Sequence, residues 1–161
     1  MQKAKDSFLN FLSSRIAELD DERTVTIDGA VRPAVMACEN ERAELAQAFE
    51  NSYCVDWGDA VGGRDEHSFQ TVNCTISYWT CGAAEMSGVD RGRKLAEMDR
   101  LLRLILAPGR TPKVDLTANA SIKLGSMVFW GEPKFAAPEQ DGMKLKREVA
   151  VAVHYFPEEE L

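Results

Sequence analysis

The chain has 161 residues, enough for one sizeable core and few for two independent domains, so one domain is expected over 1–161. Its 45% hydrophobic and 28% charged residues match a folded globular protein and exclude disordered and fibrous classes. The formal net charge of -7 weighs against broad capture of a nucleic-acid backbone.

Residues 3–19 place Phe8, Leu12, Ile16 and Leu19 on one stripe with Phe11 beside it, which predicts an amphipathic helix. Thr24 to Ile27 then alternates with the two-residue period of a strand, and the Asp28-Gly29 turn leads it into a second run over 31–38. Pro33 lacks the N–H that a central strand needs, so this run belongs at an edge or at the beginning of a strand. Segment 39–50 sets Glu39, Glu41, Glu44 and Glu50 against Arg42 alone and reads as a solvated helical turn or loop.

Residues 53–57 and 69–80 read as two antiparallel strands of a long hairpin whose projecting tip is 58–68. In the second strand Val72, Cys74, Ile76 and Tyr78 share one face and Thr71, Asn73, Thr75 and Ser77 the other, the pattern of a sheet with one packed and one wet face. Leu95, Met98, Leu101, Leu102 and Ile105 build a second helix ending at Pro108-Gly109. Its opposite side carries Arg91, Arg93, Lys94, Arg100 and Arg103 against Glu97 and Asp99, a locally basic surface on an acidic protein.

After a polar loop, 125–130 and 145–156 read as the closing strands, joined through 131–144. Ala150 and Ala152 alternate with Val149, Val151 and Val153, so the second face of the last strand has room for a close-packed helix. The acidic tail over 157–161 is expected to fray. Together these elements predict an α+β fold, a mainly antiparallel sheet with a long β-hairpin and two amphipathic helices packed on one face.

Catalytic patterns are sparse. The histidines are His67, beside Asp65 and Glu66, and His154, within a strand between Val153 and Tyr155; a charged turn and a face-filling residue account for them. The cysteines Cys38, Cys54, Cys74 and Cys81 lack the two- to four-residue spacing of zinc ligands, so neither a metal nor another cofactor is expected. No run approaches the length of about 20 apolar residues that spans a bilayer, and the opening residues lack a signal-peptide core. The thiols are therefore expected to be reduced in a cytosolic protein, with the sequons at Asn73 and Asn119 accidental. Gly62-Gly63 and Gly88 to Gly92 lack phosphate-loop spacing and read as turns, while Trp57, Trp79 and Trp130 read as core or interface aromatics.

The order of elements, with residues 32–41 (RPAVMACENE) and 90–99 (DRGRKLAEMD), resembles the tail terminator and minor tail proteins of tailed bacteriophages. That resemblance implies a structural virion protein, made in the host cytoplasm, that assembles into a homo-oligomeric ring, typically a hexamer. The ring would cap the tail tube and join it to the head-side connector, with DNA passing through the lumen unbound. On this reading segments 39–50 and 58–68 line an acidic lumen, and the subunit contacts fall on Gly62, Gly63, Arg64 and Asp65 of the hairpin tip and on Arg93, Arg100 and Arg103. Two other readings stand beside it: a small cytosolic hydrolase or ligand-binding domain using His67 or His154, and an acidic immunity-type partner of one basic protein.

Overall fold

A computed structural model describes residues 1–45, 48–62, 68–117 and 120–157. Among the described residues the fold is α+β, with two α-helices and a mostly antiparallel sheet. Helix α1 (Gln2–Leu19) buries Ala4, Phe8, Leu12 and Ile16, the four-residue repeat that the sequence places on one stripe. Each such large side chain removed from water contributes about 1.5–3 kcal/mol. Leu19, read as part of that stripe, is instead 41% exposed, because the helix ends beside it at Asp20.

Strands β1 (Thr24–Ile27) and β2 (Ala30–Pro33) form a separate two-stranded ladder. Asp28 and Gly29 both have positive φ, 50° and 83°, as a two-residue hairpin turn of the I′ type demands. The run expected over 31–38 is in fact divided. After Pro33 the chain leaves this ladder, and β3 (Val35–Ala37) becomes an edge strand of the large sheet, running parallel to β4 (Tyr53–Gly62). Ala34 marks the join, accepting a hydrogen bond from the Tyr53 amide and donating one to the Arg23 carbonyl.

Strand β4 pairs antiparallel with β5 (Gln70–Thr80), and it extends five residues further than the sequence pattern indicates. The pairing slips between Trp57 and Ala60, and a bulge of this kind hides a strand's continuation from its alternation pattern. Helix α2 (Arg91–Ile105) follows a glycine-rich bend and buries Leu95, Met98, Leu101, Leu102 and Ile105.

The expected polar loop after α2 is a strand, β6 (Gly109–Asp115), paired antiparallel with β7 (Ile122–Trp130). Pro112 is tolerated because β6 lies at the other edge of the sheet, and a register shift after it coincides with Gly125 at φ +75°. Two short strands in the connection, β8 (Lys134–Phe135) and β9 (Glu139–Asp141), pair with β10 (Lys144–Tyr155), as β7 does further along the same strand. The order across the sheet is β3-β4-β5-β10-β7-β6.

One core cluster joins Phe8, Leu12 and Ile16 of α1 and the buried residues of α2 to Val55, Ile76, Val151 and their same-face neighbours on the strands. Phe8 lies edge-on to Trp57 and Trp130, at 5.8 and 5.4 Å between ring centres. Ala150 and Ala152, read as room for a packed helix, instead remain exposed and half-buried on the opposite face. The larger valines and tyrosines take the helices because they offer more apolar area to bury. The acidic residues 158–161 of the expected tail fall outside the described residues.

Candidate interaction surface

The strand alternation that fills the core also sets what the opposite sheet face presents. On β5 this face carries Thr71, Asn73, Thr75, Ser77 and Trp79, and on β10 Lys146, Glu148, Ala150, Ala152 and His154, all exposed or half-buried. One end is aromatic. The Phe69 ring stacks on His154 at 5.4 Å and meets Phe156 edge-on at 5.1 Å and Phe129 at 6.1 Å. Phe69 and Phe156 remain 43% and 45% exposed, and Val61 is exposed across the Thr71 pairing. His154 Nδ1 lies 2.7 Å from Thr71 Oγ1, so this imidazole is oriented by a hydroxyl and an aromatic ring.

The other end is a groove of about 100 Å³. The cross-strand row Cys54, Ser77 and Glu148 forms its floor, with Phe49, Trp79 and the Ala136-Ala137 segment among its walls. Lys144 Nζ sits 4.1 Å from the centre of the Trp79 ring, which holds a cation over an aromatic face at the groove's margin.

Arg147 braces the helix layer against the sheet. Its guanidinium meets both oxygens of Asp99 on α2, at 2.7 and 3.3 Å, and donates to the Ala136 carbonyl at 2.6 Å. Tyr78 donates its hydroxyl to the same carboxylate. Burial of that phenol, and then its hydrogen bond to the Asp99 carboxylate, push the Tyr78 pKa far up and keep it a donor.

On the outside of α2, Arg93 and Arg100 lie a helical repeat of seven apart and are exposed; neither is in an ion pair among the described residues. Arg103 differs, its guanidinium lying 3.7 Å above the Phe135 ring. The basic face is therefore narrower than its sequence implies: Asp99 is drawn inward by Arg147, and Arg91 donates to the carbonyls of Gly88 and Met143.

The acidic segment is less solvated than its composition indicates. Glu39 accepts from Gln2 at 3.0 Å and Lys5 at 2.9 Å. Burial raises its pKa, but these two hydrogen bonds and the Lys5 charge outweigh that effect, and its carboxyl falls below the ordinary value. Glu41 pairs with Arg32, and Glu50 accepts from the Thr80 hydroxyl and the Cys81 amide. These carboxylates fasten the segment to α1, β2 and the end of β5, whereas Glu44 stays exposed beside Arg42. Residues 46 and 47 lie outside the described residues.

Of the hairpin positions expected at the contact, Gly62 is the last residue of β4, paired with Gln70 rather than at a free tip. Gly63, Arg64 and Asp65, with His67, lie outside the described residues. The aromatic cluster was not legible as a unit, although one signal was present: Phe129 and His154 occupy positions where alternation calls for polar side chains.

Among the described residues no group of three or more histidines, cysteines and carboxylates is placed to hold a metal ion. Likewise, no helix of the described residues is long and apolar enough to cross a membrane. No protein-family model matches the chain, and no curated protein matches it.

Proposed function

We propose that the chain is a structural subunit that assembles with copies of itself into a ring, as a tail terminator or tail-completion protein. That ring would close the head-proximal end of a phage tail tube and join it to the head connector. The observation that carries this reading is a pair of surfaces of opposite charge on one chain. The Arg93 and Arg100 stripe of α2 is exposed and basic, while Asp56 and Asp59 are exposed on β4 of the hairpin. Different, complementary patches make head-to-tail contacts, and head-to-tail contacts with a closing rotation make rings.

The α+β fold supplies further support. Buried residues of both helices join one core with the strands, and the opposite sheet face ends in exposed aromatics at Phe69 and Phe156, which supports a face left free for contacts. With Glu39, Glu41 and Glu50 engaged inside the subunit, repulsion of DNA in the lumen would fall to the exposed Glu44 and to the hairpin carboxylates.

The test is native mass by light scattering across concentration, with negative-stain imaging of each species alone and mixed with tail tubes. Rings, or binding at one tube end, are expected for the wild type. The Arg93→Glu, Arg100→Glu double variant is expected to remain monomeric with an unchanged circular dichroism spectrum. A wild-type chain that stays monomeric and ignores tubes overturns the proposal.

A further inference from the structure

Two thiols are brought together at the edge of the large sheet. Strands β3 and β4 run parallel with Met36 opposite Cys54, so Cys38, two residues beyond Met36, returns to the same face as Cys54. Their Sγ atoms are 2.8 Å apart. Cys38 is half-buried and begins the turn that leads into the acidic segment, whereas Cys54 is 3% exposed at the floor of the groove. The other two cysteines supply a contrast within the molecule: Cys74 is buried in the core, and Cys81 lies in the loop after β5.

We propose that Cys38 and Cys54 are a dithiol site that is oxidised reversibly to an intramolecular disulfide by a low-molecular-weight disulfide such as oxidised glutathione. The Cys38 thiolate, reached from solvent, attacks one sulfur of the oxidant; that S–S bond breaks, and one glutathione leaves as its thiolate and takes up a proton. The resulting mixed disulfide is then attacked at the Cys38 sulfur by the Cys54 thiolate, expelling the second glutathione. Two electrons pass from the protein thiols to the oxidant, and the two thiol protons end on two reduced glutathione molecules.

The surroundings set the pace. Burial, then the hydrogen bond and charge of Cys38, then Asp56 and Glu41, push the Cys54 pKa up, so the thiol stays protonated at neutral pH and exchange quickens as pH rises. The crosslink would close a loop between residues 16 positions apart, whose span includes Phe49 and Ser52 of the groove wall. Closing a loop of that length restricts the unfolded chain and should raise Tm by roughly 5–10 °C. This chemistry does not depend on ring assembly.

The experiment incubates the full chain in mildly alkaline buffer with glutathione redox mixtures, quenches with acid, alkylates and maps peptides by mass spectrometry. A Cys38–Cys54 crosslink is expected, with Cys74 and Cys81 still reduced, a raised Tm and full reversal by dithiothreitol. Cys54→Ser should trap glutathione on Cys38 as a lasting mixed disulfide, and Cys38→Ser should leave Cys54 unmodified. The proposal is overturned if wild-type Cys38 retains glutathione as Cys54→Ser does, if all four thiols stay reduced, or if crosslinks to Cys74 or Cys81 are as abundant.

Discussion

Replacing Asp99 with alanine removes the acceptor for both Arg147 and Tyr78, and its cost can be worked from the geometry. The Asp99 and Arg147 side chains are 13% and 17% exposed, between a fully buried pair and a surface one. Truncating one partner of a buried pair costs about 3–5 kcal/mol, and an exposed pair is worth about 0–1 kcal/mol. An intermediate cost of about 2–3 kcal/mol is therefore expected for Asp99→Ala, since Arg147 and the buried Tyr78 hydroxyl both lose a partner. In urea unfolding the midpoint should fall with the slope unchanged, and Tm should drop by roughly 5–10 °C. A double-mutant cycle with Arg147→Met isolates the pair, and a coupling of about 1–2 kcal/mol is expected. Coupling below about 0.3 kcal/mol would refute the claim that this contact ties α2 to the sheet.

Asp115 is held by hydrogen bonds from the Thr117 hydroxyl, then from the Thr117 amide, and by Lys3, and its pKa is lowered to about 2. A lowered carboxyl pKa contributes stability that is present above its unfolded value and is lost as pH falls through the folded one. Thr117→Val should raise the Asp115 titration midpoint, measured by NMR, whereas an unchanged midpoint would rule out the hydroxyl as a cause. Gly82 has φ +78°, and an added Cβ would lie 2.4 Å from Asp90 Oδ1, which accepts from the Ala83 amide. Gly82→Ala should therefore cost more than the roughly 1 kcal/mol of an ordinary left-handed glycine site, read from denaturant midpoints; a neutral substitution would show that the bend before α2 relaxes freely.

Both helices, the Asp28-Gly29 turn and the two long central strands were legible because each is encoded within a few neighbouring residues. A four-residue apolar repeat buries one side of α1, and a two-residue alternation separates the faces of β5 and β10. Pro33 placed its run at an edge or at a strand's beginning, but did not announce the division of that run into β2, which it ends, and the edge strand β3.

Only the tertiary structure decided the rest. Strand β6 reads as a polar loop because its one fully buried side chain is Lys113, whose ammonium donates to the Phe156 carbonyl; backbone pairing with β7 makes it a strand, and backbone hydrogen bonds leave no side-chain signature. The acidic segment looked solvated because its partners, Lys5, Arg32 and the end of β5, lie elsewhere in the chain. The Cys38–Cys54 pair exists because β3 runs parallel to β4, a pairing between strands separated by a long connection, which no local pattern announces. Local periodicity reports which side of an element is buried, whereas partners distant in sequence are chosen only when the elements meet.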